Sequence, residues 1–349
     1  MLIESLETPV AVVDLDRLES NIARLQAYLS EHGIANRPHI KTHKIPEIAH
    51  MQLAAGAVGV TCQKLGEAEV MAQAGIRDIL ITYNLLGAQR LERLVRLRRR
   101  AQVSVTADSA VTVRGLSEAM DAAGLELEVL VECDTGGGRC GVQSPEEAAA
   151  LARQIAAAPG LRFGGLMTYP NGPGTDPFVR ETKALLAADG IEVARVSGGG
   201  SPGMWRAHEC RELTEHRAGT YVYGDRKMVA VGAMRLEDCA LTIRCTVVSR
   251  PTPTRGILDG GSKTFSSDTL GLEGYGLILE YPEAKIYGFS EEHGHVDFSA
   301  CERAPEIGEV VTVVPNHACV VSNLFNQVVG ARRGEVEVIW PVAARGTLT

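Results

Sequence analysis

From residue 10 to about residue 200 the chain alternates short β-rich runs with amphipathic helical segments, and this alternation constrains the fold more than any other feature. The runs are Val10–Asp14, Pro38–Lys41, Val58–Thr61, Ile79–Thr82, Val103–Thr106, Leu127–Glu132, Phe163–Tyr169 and Ala194–Ser197. Between the first two, Leu18, Ile22, Leu25 and Leu29 recur at helical spacing, and Ser144-Pro145-Glu146-Glu147 reads as a capped helix start. Such strand–helix units with parallel strands predict an α/β fold, a (β/α)8 TIM-type barrel, the alternative being an open doubly wound sheet. A barrel gathers its strand ends, where Lys41, Cys62, Asp134, Tyr169 and Gly198 fall, on the rim where barrel active sites are built.

After about residue 226 the helical periodicity fades. Leu241–Val248, Arg255–Asp259, Glu309–Val314 and Glu335–Trp340 read as strands separated by turns. The expected organisation is a barrel over residues 10–225 and a C-terminal β-rich domain over residues 226–349, joined by residues 1–9.

Composition removes several function classes. At 349 residues with a formal net charge of −8, the chain suits an enzyme of more than one core and lacks the basic face of a nucleic-acid binder. The basic stretch Arg90–Arg100 carries leucines at helical spacing and reads as a solvated helix face. No apolar run is long enough to cross a membrane, and the N-terminus lacks the pattern of a signal peptide. The eight cysteines are scattered with no Cys-x-x-Cys pair, which predicts a reducing compartment. The expectation is a soluble, cytoplasmic enzyme acting on a small molecule.

Its chemistry is concentrated in a few segments. In Arg37-Pro38-His39-Ile40-Lys41-Thr42-His43-Lys44, a lysine alternates with Ile40 at a strand end, although lysines usually sit in solvent. A desolvated lysine is an amine nucleophile able to hold an aldehyde cofactor; the alternative is a solvated basic strand end. Gly198-Gly199-Gly200-Ser201-Pro202 and Arg217-Ala218-Gly219-Thr220-Tyr221 follow the last barrel run, where barrels commonly bind phosphate through converging backbone N–H groups. A lysine for an aldehyde and a cradle for a phosphate together imply pyridoxal phosphate. Asp134-Thr-Gly-Gly-Gly-Arg139-Cys-Gly141 adds an arginine whose planar fork can meet a ring oxygen or a carboxylate, the alternative being a turn with a salt bridge.

These segments, with Gln63-Lys64, Ser290–Gly294 and Pro315–Cys319, resemble the alanine-racemase-type fold of pyridoxal phosphate enzymes. Within it the chain is similar to the D-threonine aldolase and D-serine dehydratase family, over nearly its whole length. The resemblance implies that Lys41 forms the Schiff base, that Arg139 and Tyr169 lie beside the cofactor, and that Gly199, Gly200, Gly219 and Tyr221 hold its phosphate. It implies a homodimer, with each site completed by the partner's C-terminal domain. It also implies a divalent metal on His317 and Cys319, which, read as a strand, would face one side about 6.5–7 Å apart at Cα. A thiolate favours zinc, whereas the aldolases commonly carry an aspartate here and use harder ions such as manganese. His293 would shuttle a proton with Glu292 orienting it, and Asp259-Gly-Gly-Ser-Lys263 would support the site.

The implied reaction is cleavage of a D-3-hydroxy-amino acid to glycine and an aldehyde. The alternatives are dehydration to a 2-oxo acid and ammonia, or racemisation. Two departures bear on the choice. Tyr169-Pro170-Asn171 lacks the histidine that many family aldolases carry after this tyrosine, and Cys319 is closer to the dehydratase branch.

Overall fold

The computed structural model describes residues 1–349, which divide into two compact units. One comprises Arg24–Lys41, Ile48–Gly219 and Thr347–Thr349; the other comprises Met1–Ala23, Thr42–Glu47 and Thr220–Gly346. The division therefore falls at Gly219/Thr220 rather than after residue 225, and residues 10–23 go with the C-terminal unit.

The first unit is built on an eight-stranded parallel sheet. Its order is Ala35–Asn36, Glu215–His216, Val196–Gly198, Leu161–Thr168, Leu127–Cys133, Gln102–Ala107, Asp78–Ile81 and Val60–Cys62. A parallel bridge between His39 and Thr61 joins the two ends and closes the barrel. The middle strands are apolar runs because both of their faces are covered, as in Leu127–Cys133, where every residue but Glu128 is buried. The flanking helices follow the expected signals. Leu18, Ile22, Leu25 and Leu29 are buried along Leu15–Glu31, and Ser144 Oγ accepts Glu147 N–H to cap Pro145–Ala157. The basic stretch is the helix Ala88–Arg98, which buries Leu94 and Leu97 and leaves its arginines to carboxylates, carbonyls and solvent.

Three strand expectations fail for identifiable reasons. Val10–Asp14 is not a barrel strand: it pairs antiparallel with Leu241–Ser249 and parallel with Gln327–Arg332. An apolar β-branched run does not say which sheet will bury it. The barrel's eighth strand is instead Glu215–His216, two residues long and too polar to register as a run. Pro38–Lys41 contributes only the His39 bridge before Ile40–Thr42 turns into a single 3-10 turn.

Where the strands are shortest, side chains take over. Arg37, 4 % exposed, places Nε 2.7 Å from Glu215 Oε2 and Nη1 2.6 Å from Asp78 Oδ1. Gly59 is required beside it, since a Cβ there would lie 2.3 Å from Arg37 Nη1. Ser197 Oγ donates to Glu215 Oε1 at 2.5 Å and accepts from Arg217 Nη1 at 2.7 Å, while Arg217 Nη2 donates to the Thr168 carbonyl at 2.9 Å. Burial alone would raise the Glu215 carboxyl, but the Arg37 and Arg195 guanidinium groups and the Ser197 hydroxyl hold it below the usual carboxylate range.

The second unit contains a nine-stranded mixed sheet. Its long strand Leu241–Ser249 buries Leu241, Ile243, Cys245 and Val247 on one face, the period-two pattern of a half-covered strand. It pairs with Val10–Asp14, Arg255–Leu258 and Val310–Val314. No helix of the protein is long and apolar enough to cross a membrane.

Replacing Glu215 with Ala leaves the buried Arg37 guanidinium with the half-exposed Asp78 as its one carboxylate and removes the Ser197 acceptor. Breaking a buried pair in this way costs about 3–5 kcal/mol. Urea unfolding of Glu215→Ala should show a loss of that size, with the exposed-pair variant Arg153→Ala, whose partner is Asp189, near wild type.

Candidate active site

At the mouth of the barrel, Lys41 sits half-buried in the turn Ile40–Thr42. Its backbone N–H points to His39 Nδ1 at 3.4 Å, and His39 Nε2 lies 3.2 Å from Gln63 Oε1. Gln63 Nε2 donates to the Thr82 carbonyl at 2.8 Å, which fixes the amide and leaves its oxygen to accept from His39 Nε2–H. Burial, then the nearby charges of Lys41, Arg217 and Arg139, hold His39 far below the ordinary imidazole range, so its ring is neutral. Around it stand Arg217, buried and pushed down to about 10 by that burial, and Glu132, a buried carboxyl raised first by desolvation.

Arg139 lies 3.7 Å from Glu132 and 4.8 Å over the Tyr169 ring, so the arginine and tyrosine expected beside a cofactor do meet. The Tyr169 ring in turn covers Gly200, where a Cβ would lie 2.8 Å from Tyr169 Cε2. Gly199 has φ +85° and would drive a Cβ to 2.1 Å from the His216 ring. These two positions form a cradle that only glycine leaves open, ahead of the 3-10 segment Ser201–Glu209. Residues of this kind fit an anionic, aldehyde-bearing cofactor: a glycine cradle, a lysine and fixed guanidinium groups on one rim. Gly219 departs from expectation, since its N–H already donates to Ser201 Oγ at 3.1 Å. Tyr221 is fully buried in the turn Thr220–Val222 of the other unit.

In the C-terminal unit, His317 and Cys319 come together, but not on a strand. His317 is the N-cap of the helix Ala318–Leu324, and Cys319 lies in its first turn. Pro315 ends the preceding strand, and Asp225 Oδ2 accepts Ala318 N–H at 3.0 Å to start the helix. Burial alone would depress the His317 imidazole, but contact with Cys319 and Asp268 overcomes it and raises the ring to about 9. Thr42, the residue after Lys41 in sequence, has its Oγ1 3.1 Å from Cys319 Sγ, and Thr220 Oγ1 is at 3.6 Å. Tyr223 is fully buried near this thiol with no partner for its hydroxyl. An imidazole, a thiol able to accept hydroxyl donors and an orphaned phenol fit a soft divalent ion with open positions. No third His, Cys, Asp or Glu completes a ligand cluster.

His293 is exposed on the turn between Lys285–Phe289 and Gly294–Asp297. Glu292 does not orient it, because its carboxylate pairs with Lys263 at 2.7 Å. Asp259 is likewise spent on the sheet, accepting Thr8 Oγ1 at 2.5 Å and Thr246 N–H at 2.9 Å. Sequence reasoning missed the roles of His39, Gln63, Arg217, Tyr223 and Asp268. Arg217 stood inside a quoted motif, but only the fold shows its side chain buried among strand ends.

Residues 13–227 match the family Alanine racemase, N-terminal domain, and residues 240–331 match the family Putative serine dehydratase domain. The chain is 37% identical to a D-threonine aldolase from an Arthrobacter species, over 97% of this chain and 93% of that one. It superposes on a D-threonine aldolase from Filomicrobium marinum with TM-score 0.93 at 33% identity, covering 100% and 99% of the two chains. It is also similar to D-threo-3-hydroxyaspartate dehydratase from Delftia sp. HT23, with TM-score 0.86, 31% identity and coverage of 97% and 98%. Structures of a dehydratase of that name include variants of a histidine and of a cysteine two residues later, the second in a metal-free form.

Two outcomes follow from this geometry. Gly199→Ala imposes about 1–3 kcal/mol of strain on the cradle, so affinity for added pyridoxal phosphate, read by fluorescence quenching, should fall about tenfold or more. His39 and His216 are buried neutral, the latter lowered to about 4 by burial and then by Arg217, while the unfolded rings titrate near 6.5. The unfolded chain then binds more protons, so stability is intact above 6.5 and is lost as pH falls toward 4. Urea midpoints measured down that range should drop, with a slope of up to about 1.4 kcal/mol per pH unit for each ring, and His216→Gln should flatten the curve.

Proposed function

The chain belongs to the D-threonine aldolase and D-serine dehydratase family, and we propose that it cleaves D-3-hydroxy-amino acids to glycine and an aldehyde. It is an enzyme, and the proposed class is a pyridoxal phosphate- and divalent metal-dependent lyase. The observation that carries the aldolase reading is likeness to D-threonine aldolases along essentially the whole chain.

Lys41 would hold the cofactor's aldehyde, the backbone at Gly199 and Gly200 with Tyr221 its phosphate, and Arg139 and Tyr169 its ring. His317 and Cys319 would hold the metal, zinc being the better match to a thiolate. When bound, the cofactor supplies an electron sink for charge developing at the substrate Cα, and the metal a Lewis acid for the β-hydroxyl. Lys41 Nζ would deliver the proton that Cα gains once the Cα–Cβ bond has broken. The neutral His39 holds the Lys41 backbone without adding charge, and its fixed tautomer keeps that contact in place. Arg139 offers its fork to the substrate carboxylate. His293 takes the β-hydroxyl proton, reaching the site of the partner in a homodimer whose C-terminal unit completes it. The eight free cysteines, none in a disulfide, support a reducing, cytoplasmic compartment.

A second reading, dehydration to a 2-oxo acid and ammonia, is favoured by one observation. The His317-x-Cys319 pair has the spacing of the histidine and cysteine varied in the dehydratase structures.

Product analysis with D-threonine, pyridoxal phosphate and Zn²⁺ or Mn²⁺ decides between them: glycine and acetaldehyde are expected, and 2-oxobutyrate with ammonia would sink the aldolase reading. Lys41→Ala should lose both the cofactor's near-visible absorption band and turnover. His293→Ala should lower kcat about 10²–10⁴-fold with metal content unchanged.

A further inference from the structure

A histidine ligates a metal through one ring nitrogen only when its single neutral-state proton is committed to the other. In His317 the committed atom is Nδ1, 2.7 Å from Asp268 Oδ2. A carboxylate only accepts, so Nδ1 is the donor and Nε2 is the nitrogen whose proton a metal would displace.

Asp268 is itself held in place. Its Oδ1 accepts Leu270 N–H at 3.0 Å, and its own N–H donates to Ser266 Oγ at 3.1 Å. The loop that carries it is tied down by Lys227 Nζ to the Leu270 carbonyl at 3.0 Å and Arg226 Nη1 to the Glu273 carbonyl at 2.5 Å. Asn316, the residue before His317, donates to the Gly274 carbonyl at 2.8 Å. The loop and the ligand-bearing segment are thus joined by a second contact, Asn316 to Gly274, beside the His317–Asp268 bond. Asp268 is not placed as a third ligand, because no cluster of three such side chains forms.

We infer that Asp268 is a positioning residue that locks the His317 tautomer, turns Nε2 toward a divalent cation and thereby sets the affinity of the site. This rests on the reading of His317 and Cys319 as metal ligands. A carboxylate that serves only to pin the loop would affect folding but not metal affinity, which separates the two roles.

The test uses the full-length protein titrated with Co²⁺, in the wild type and in Asp268→Ala, Asp268→Asn, Asp268→Glu and Cys319→Ala. Three quantities are read: the thiolate-to-cobalt absorption band, the dissociation constant by competition with a chromophoric chelator, and the melting temperature of the metal-free protein. Asp268→Ala is expected to weaken cobalt binding about 10–100-fold, with the metal-free melting temperature lowered far too little to account for that loss. Asp268→Asn should fall between, and Asp268→Glu should restore most of the affinity. An unchanged dissociation constant in Asp268→Ala overturns the inference, as does a loss that merely follows a lowered metal-free melting temperature and is not restored by glutamate. Absence of a thiolate band in the wild type, with cobalt bound equally by Cys319→Ala, removes the metal reading itself and this inference with it.

Discussion

The Arg37–Glu215 pair holds together the two shortest strands of the barrel, and the mouth of the barrel depends on that junction. The two strands it joins, Ala35–Asn36 and Glu215–His216, are two residues long each, so their backbone ladder amounts to little more than one pair of registers. A ladder that short does not fix the order of strands by itself. The charged pair does, because a guanidinium and a carboxylate buried together tolerate no slip without leaving one of them unpaired. The same carboxylate passes the constraint onward through Ser197 to Arg217, and from Arg217 to the carbonyl at the end of Leu161–Thr168. The junction of the shortest strands and the placement of a cation at the rim are therefore one network.

That rim gathers three cations around one imidazole, of which only Arg217 is buried. Lys41, Arg217 and Arg139 all act on His39, and Glu132 is the carboxylate set among them. Keeping His39 neutral is what makes the arrangement tolerable, since a further cation there would raise the repulsion among groups already drawn from water. An anionic cofactor relieves the same strain, and its binding would be coupled to the integrity of the barrel through Arg217. The glycine cradle then has to be precise: a side chain at Gly199 or Gly200 would intrude on His216 or Tyr169.

The sequence was most legible where local pattern and burial agree. The helices with apolar stripes and caps stand where Leu18, Ile22, Ser144 and Leu94 placed them. So do the central strands, whose apolar runs have no other use. Three elements were not legible. Val10–Asp14 has the composition of any buried strand, and its partners Leu241–Ser249 and Gln327–Arg332 lie hundreds of residues away. Glu215–His216 is polar because its task is the ion pair. His317–Cys319 follows Val310–Val314 so closely that the strand seemed to continue, yet Pro315 and the Asp225 cap convert it to a helix start. Lys41, Arg139, the glycines and the His-x-Cys pair were legible as motifs. Their supports, His39 through Gln63 and His317 through Asp268, were not, because hydrogen bonds between distant loops leave no periodicity in a sequence.

Cleavage and dehydration can draw on the same lysine, cradle and ligand pair, so those parts do not choose between them. Their proton inventories differ. Breaking Cα–Cβ requires a base for the β-hydroxyl proton, whereas elimination requires a base at Cα and a proton or Lewis acid for the departing hydroxyl. Lys41 is the group proposed to serve Cα in either case. The position after Tyr169 offers Pro170, which can carry no proton, and Tyr223 presents a phenol that burial pushes far above its ordinary range. A phenol in that state holds its proton rather than taking one. In the proposed cleavage the β-hydroxyl proton passes to neither of these groups but to His293, whose imidazole is exposed on the turn between Lys285–Phe289 and Gly294–Asp297.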